Sequence, residues 1–242
     1  MRSLSLVKRN MKEIYRDPVS SLLGLGLPVA LLFLFTSIYQ KIQVEMFSAK
    51  MLTPGIIIFS YSFLMMFSAT LMAKDRQNAF LLRLFSTPLR PVDFILAYLL
   101  PFLPLALIMM TVCLLVGFLL GAVYLNILWV ILILFMMALS CIGLGMIMGA
   151  LLSVNQISGI GSLMITSISL FGNIWTPLEI MGGLFSKIGY AMPFAHAMDT
   201  IRWLVEGNPI TGVAGHFTWV LVYTVVLTLG GVLAFRWRTR PG

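Results

Sequence analysis

Residues 94–178 read FILAYLLPFLPLALIMMTVCLLVGFLLGAVYLNILWVILILFMMALSCIGLGMIMGALLSVNQISGIGSLMITSISLFGNIWTPL, without one Asp, Glu, Lys or Arg. A membrane-spanning helix needs about 20 mostly apolar residues. The stretch therefore has room for three spans and their turns: roughly Phe94–Leu120, Ile127–Leu152 and Ile157–Trp175. Gly121–Asn126 reads as one turn and Ser153-Val154-Asn155-Gln156 as the other. Pro101 and Pro104 interrupt the first of these spans.

Outward from this core the same signal repeats. No charged residue lies between Asp17 and Lys41, between Lys50 and Lys74, or from Gly207 to Phe235. These runs give spans near Val19–Tyr39, with a kink at Pro28, near Leu52–Ala73, and near Phe217–Phe235. The total is six. A β-barrel would show segments of roughly ten residues alternating in polarity, and none occur. Composition agrees: the chain is 60% hydrophobic and 10% charged, against about 25% charged in soluble domains. The expected fold is all-α integral membrane, one transmembrane domain over residues 1–242.

Charge sets the orientation, because basic residues collect on the cytoplasmic side. Six spans place the N-terminal segment, the loop after span two and the C-terminal tail on one side. Those segments carry twelve Lys and Arg and four acids, the whole formal +8. The other side sums to zero. Both termini are thus expected in the cytoplasm of a cell-membrane protein. The basic balance reflects topology, not nucleic-acid binding, and anionic lipid headgroups are an expected partner. The first apolar run is long, starts late and is followed by no A-x-A-like site, which argues against a cleaved signal peptide.

Three segments outside the spans carry information. Residues 1–18 predict an interfacial helix, with Leu4, Val7, Met11 and Ile14 as its apolar stripe and Lys8, Arg9, Lys12 and Arg16 on the polar side. Residues 74–93 form a basic loop with room for a short helix. Residues 176–216 are too apolar for a disordered loop and too broken by Gly and Pro for a span. Phe194, Met198, Ile201 and Val205 there share a helical face, so short re-entrant helices dipping into the outer leaflet are expected. Trp129, Trp175, Trp219 and Trp237 fall at span ends, as an aromatic belt would.

The chemistry available is sparse. There is no paired-carboxylate or nucleophile motif, so no catalytic residue is assigned. His196 and His216 lack metal-ligand spacing, and no metal site is assigned. Cys113 and Cys141 read as small apolar residues. No acidic residue or His lies mid-membrane, as proton-coupled carriers require. No G-x-x-x-x-G-K-[ST] phosphate loop occurs, so no cofactor is expected on this chain. Uphill transport would draw its energy from a partner ATPase. The 74–93 loop and the N-terminal helix are the docking candidates. Asp199 and Arg202, at i and i+3, are spaced for an ion pair that would order the outer helix. Gly117-x-x-x-Gly121 and Gly145-x-x-x-Gly149 permit close helix approach within or between subunits.

Three stretches resemble a family. VKRNMKEIYRDPVS precedes the first span. RLFSTPLRPVDFILAY, residues 83–98, fits the pattern L-x-x-T-P-L leading into a span. Pro177-Leu178-Glu179, then Pro193, Asp199 and Arg202 are similar to P-x-E…P…D-x-x-R. In this order the chain resembles the ABC-2 type permeases, the membrane subunits of bacterial drug, antibiotic and glycoconjugate exporters. It departs at Gln77-Asn78-Ala79, where the family usually has an acidic residue and then Gly-Thr. The resemblance implies two such subunits, identical or paralogous, each resting on an ABC ATPase subunit that holds ATP and Mg. It also implies a coupling helix formed by Arg83, Leu84, Phe85, Ser86, Thr87, Pro88 and Leu89, with the N-terminal helix beside it. The apolar spans suit a hydrophobic or amphipathic substrate, such as a drug, antibiotic or lipid-like product. Export of lipo-oligosaccharide or polysaccharide, a self-powered carrier or channel, and an assembly factor stay open.

Overall fold

A computed structural model of the chain describes residues 2–16, 22–77 and 96–238. Its regular structure is helical, with no strand among the described residues. Among the described residues six helices are long and apolar enough to cross a membrane. In chain order the elements are α1 (Arg2–Tyr15), α2 (Leu22–Ile42), α3 (Ala49–Gln77), α4 (Leu96–Leu119), α5 (Ile127–Leu151), α6 (Val154–Phe171), α7 (Leu178–Met181), α8 (Gly183–Tyr190), α9 (Pro193–Val205) and α10 (Ala214–Arg238). The spans are α2 to α6 and α10. The bundle end bearing α1 is called the basic end, and the opposite one the far end.

The expected spans are present with shifted limits, and in α2, α4 and α6 a local feature accounts for the difference. The first turn of α2, Leu22–Gly26, is π-helical. Pro28 has no N–H to bond the carbonyl four residues back, and a widened turn absorbs that loss. In α4 the helix breaks at Leu100-Pro101 and resumes at Phe102, where the prolines interrupt the ladder. The turn expected at Ser153–Gln156 is instead a helix start. Ser153 Oγ accepts from the Gln156 backbone N–H, and Gln156 Oε1 accepts from the Ser153 N–H at 2.9 Å. This reciprocal cap satisfies donors that a new helix leaves unpaired, so Val154–Gln156 belong to α6. That span also closes early, at Phe171, before Asn173 turns to φ 59°.

The core is built on α3. Of its apolar window 72% is buried, against 17% for α6, so α3 is the hub and α6 lies at the rim. Helix α5 packs between α3 and α10, and small residues set its distance from both. A Cβ at Gly149 would sit 2.7 Å from the Ala69 carbonyl of α3, and one at Gly143 would sit 2.7 Å from that of Leu227 in α10. Gly145 likewise faces Met65 and Ser68. The 145–149 motif is thereby used within the chain, where interhelical contact depends on close backbone approach. Gly117 faces Thr53 of α3, while Gly121 lies beyond the end of α4. Ser140 and Thr224 add a 3.0 Å hydrogen bond between α5 and α10. Cys113 and Cys141 are both buried and unbridged.

The tryptophans divide. Trp129, Trp219 and Trp237 are exposed, whereas Trp175 meets Phe35 at a tilt and Phe59 edge-on and donates to Ser169 Oγ at 2.7 Å. Trp175 thus joins α2, α3 and α6 instead of sitting in an outward-facing belt.

Candidate functional site

At the basic end, α1 lies against the exit of α3 and the entry of α4. The stripe expected from its sequence is rotated. Leu6 and Asn10 are buried and Met11 is exposed. Asn10 Nδ2 donates to the Ala97 carbonyl at 2.9 Å, which draws that face inward. Of the four basic residues assigned to the polar side, Lys8, Lys12 and Arg16 are exposed. Arg9 instead turns toward the bundle. Its guanidinium donates two hydrogen bonds to Asp75, at 2.9 and 2.5 Å, and pairs with Glu13 at 3.0 Å. Such two-pronged pairing fixes direction as well as charge. Asp75 is only 3% exposed, and Tyr98 donates to the same carboxylate at 2.6 Å. The bond to Asp75 holds the Arg9 guanidinium above its ordinary range, against the opposing pull of burial.

One carboxylate therefore ties three elements. It belongs to α3, and it holds α1 through Arg9 and α4 through Tyr98. Next to it Arg76 donates to the carbonyls of Ala150 and Leu152. These are orphan acceptors at the C-terminus of α5, where a cation is also favoured by the helix dipole. In sequence, the residues held by this clamp flank the 78–95 stretch on both sides. The coupling segment assigned from sequence, Arg83, Leu84, Phe85, Ser86, Thr87, Pro88 and Leu89, lies outside the described residues.

At the far end a second polar cluster forms around α9. Phe194, Met198, Ile201 and Val205 are all buried, as their helical spacing predicts. The expected pairing of Asp199 with Arg202 is replaced by a shared partner. Asn173 Nδ2 donates to Asp199 Oδ1 at 2.5 Å, and Arg202 Nη1 donates to Asn173 Oδ1 at 3.1 Å. Arg202 also bonds the Ile174 carbonyl at 3.3 Å, and the Leu178 N–H bonds Asn173 Oδ1 at 3.2 Å. The left-handed turn at Asn173, which ends α6, thus nucleates the cluster. Burial raises the Asp199 pKa, opposed by its bond from Tyr190 and by the neighbouring His216 and Arg202. Burial lowers that of Arg202, opposed by Asp199 and Tyr190.

Sequence reading treated His196 and His216 separately, but their Nδ1 atoms are 2.8 Å apart. The nineteen residues between them gave no periodic or motif signal. Among the described residues no group of three or more His, Cys, Asp or Glu could hold a metal ion.

These features define a class: a multi-pass helical membrane protein in which, among the described residues, the charged groups lie at the ends of the bundle and none across its middle. The family model for the ABC-2 type transporter matches residues 2–205, and the chain belongs to that family. The match runs from α1 to the last residue of α9. It is a permease family rather than an ATPase, and membership implies an ABC ATPase as partner. No curated protein and no solved structure matches the chain.

Proposed function

We propose that this chain is the transmembrane permease subunit of an ATP-binding-cassette exporter. A separate ATPase subunit, holding ATP and Mg, drives it. Segment 83–89 serves as the coupling helix, and α1 lies in the cytoplasmic interface beside it. The basic end then faces the cytoplasm, in line with the charge asymmetry, and α7 to α9 lie at the outer leaflet of the cell membrane.

The observation that carries this reading is the Asp75 clamp. A push on residues 78–95 reaches the bundle through the exit of α3 and the entry of α4. Asp75 and Tyr98 stand at those two points and share one buried carboxylate with Arg9 of α1. The three helices are placed to move as a unit, so a local displacement becomes a displacement of spans.

The outer surface of α6 supports a second copy, identical or paralogous. Asn155, Ser158, Ser162 and Thr166 follow one another at helical spacing and are all exposed. The Ser162 and Thr166 hydroxyls bond carbonyls of their own helix, and a stripe of such small polar residues suits close approach of a partner helix. The apolar character of the remaining surface favours a hydrophobic or amphipathic substrate, as in drug resistance or lipid export.

Purification of the tagged chain in mild detergent, followed by mass spectrometry, tests the proposal. A stoichiometric P-loop ATPase is expected, lost in Leu84→Asp while the bundle stays folded. A folded wild-type chain that transports without any ATPase would overturn it in favour of a self-powered carrier.

A further inference from the structure

The far-end histidines form a hydrogen-bond chain whose protons can be placed by elimination. The Tyr190 carbonyl can only accept, and His196 Nε2 lies 2.9 Å from it. His196 therefore carries a proton on Nε2. In the neutral ring its Nδ1 is then the acceptor. Across the 2.8 Å contact, His216 must donate from Nδ1. This leaves His216 Nε2 as the open position of the pair. The side chain of His216 is 38% exposed, whereas His196 as a residue is 7% exposed.

We propose that this pair is a proton-binding latch joining α9 to α10, which stays closed on its first proton and opens on its second. A first proton has the open His216 Nε2 to occupy. The Nδ1 donor is undisturbed, and the bond to His196 becomes charge-assisted. The second proton has only one place to go, the accepting Nδ1 of His196. That puts two N–H groups and two positive rings face to face at hydrogen-bond distance, and the contact breaks. His196 also holds the end of α8 through Tyr190, so opening loosens α9 from α10 at this contact while the Tyr223 bond to the Ala191 carbonyl stays in place.

The groups around the pair decide where the second step falls. Asp199 of α9 places Oδ2 3.9 Å from His216 Nδ1 and favours a charged His196 ring. Trp219 of α10 stacks on His196 with centroids 5.5 Å apart and rings 8° from parallel, which also favours a cation. Arg202 of α9 opposes positive charge nearby but is tied to Asn173. Tyr190 of α8 is pushed well above its ordinary value by burial and by Asp199, with Glu179 of α7 adding to this. Tyr223 of α10 donates to the Ala191 carbonyl at 2.5 Å, a second tie between the same elements. Burial dominates at His196 and lowers its pKa, which moves the opening step to more acid conditions.

The test uses the full chain in lipid nanodiscs, where both ends meet the same buffer, so the outcome does not depend on orientation. The chain has only two histidines, so nitrogen-15 labelling of histidine gives two assignable rings. Different tautomers and a scalar coupling between the two Nδ1 nuclei are expected at neutral pH. The coupling should survive the first protonation and vanish in the second, below the ordinary histidine value of about 6.5. In that second step hydrogen-exchange protection of Pro193–Val205, corrected for intrinsic rates, should fall about tenfold, the size of one net hydrogen bond. His196→Gln can still accept from His216 and donate to Tyr190, yet cannot take the opening proton; its protection should stay flat with pH. His216→Phe should leave α9 as loosely held at neutral pH as the wild type is in acid. Identical uncoupled tautomers, or an acid-induced loss of protection that persists in His196→Gln, would overturn the latch.

Discussion

The two ends of the bundle solve one problem in different ways. Each must fasten short helices to long apolar spans in a chain with few charges. At the basic end one buried carboxylate, Asp75, gathers Arg9 and Tyr98 from two other helices. At the far end the centre is an amide, Asn173, which separates Asp199 from Arg202, while a histidine pair closes the remaining side. The first is a fixed-charge joint whose strength changes little near neutral pH on the Arg9 side. The second contains His196, whose pKa burial lowers from its ordinary value. A joint meant to carry force should keep its charge through every turnover, and only the basic end is built that way.

This contrast breaks most visibly at Asp75. Asp75→Ala takes two hydrogen bonds from the Arg9 guanidinium, leaving its pair with Glu13, and removes the carboxylate to which Tyr98 donates. Breaking a buried pair costs about 3–5 kcal/mol. Arg9 keeps 34% of its side chain in solvent, so the low end, about 3 kcal/mol, is expected. Hydrogen exchange should show α1 released while α5 and α10 remain protected. Loss of protection throughout the bundle would instead make Asp75 a general stability residue.

A smaller effect is expected from Arg202→Met. It removes the bonds to Asn173 Oδ1 and the Ile174 carbonyl but leaves Asn173 bonded to Asp199 and to the Leu178 N–H. The expected loss is about 2 kcal/mol, read as a lower melting temperature with α1 still docked. A loss as large as that of Asp75→Ala would show that the far end is also a charge-centred joint.

Acid should separate the two ends by the smallest margin. The folded-state pKa of His196 is lowered by burial, so the unfolded segment takes up this proton first. The stabilising contribution is therefore full above about pH 6.5 and declines as pH falls below it. Exchange at Pro193–Val205 should report a loss of about 1 kcal/mol. Arg9 is held above its ordinary range and does not titrate in this window. Equal loosening of α1 would erase the distinction.

The spans were legible because lipid imposes a simple rule: a long run without charge must be a helix. Their limits were less so. Ser153-Val154-Asn155-Gln156 read as a turn because three of its four residues are polar, whereas Ser153 and Gln156 cap a new helix. The helical face of α9 was also legible, since Phe194, Met198, Ile201 and Val205 repeat at its period. The joints were not. Arg9 and Asp75 are 66 residues apart, and Asn173 and Arg202 are 29 apart, and no local pattern links them. One hint existed at the basic end. Leu6, Val7, Asn10 and Ile14 recur at helical spacing as well as Leu4, Val7, Met11 and Ile14 do, but hydrophobicity favoured the stripe containing Met11. A buried Asn with a carbonyl partner overrode it.

The central claim is that movement imposed at residues 83–89 enters the bundle through the Arg9–Asp75–Tyr98 joint. The most direct measurement is hydrogen exchange of the purified permease–ATPase complex in nanodiscs, with and without ATP, in the wild type and in Arg9→Gln. The account predicts that ATP changes protection in Arg2–Tyr15 and at the α3 exit of the wild type. In Arg9→Gln the ATPase should stay bound while the change in α1 disappears. An ATP-induced change in α1 that survives Arg9→Gln undiminished would contradict the claim.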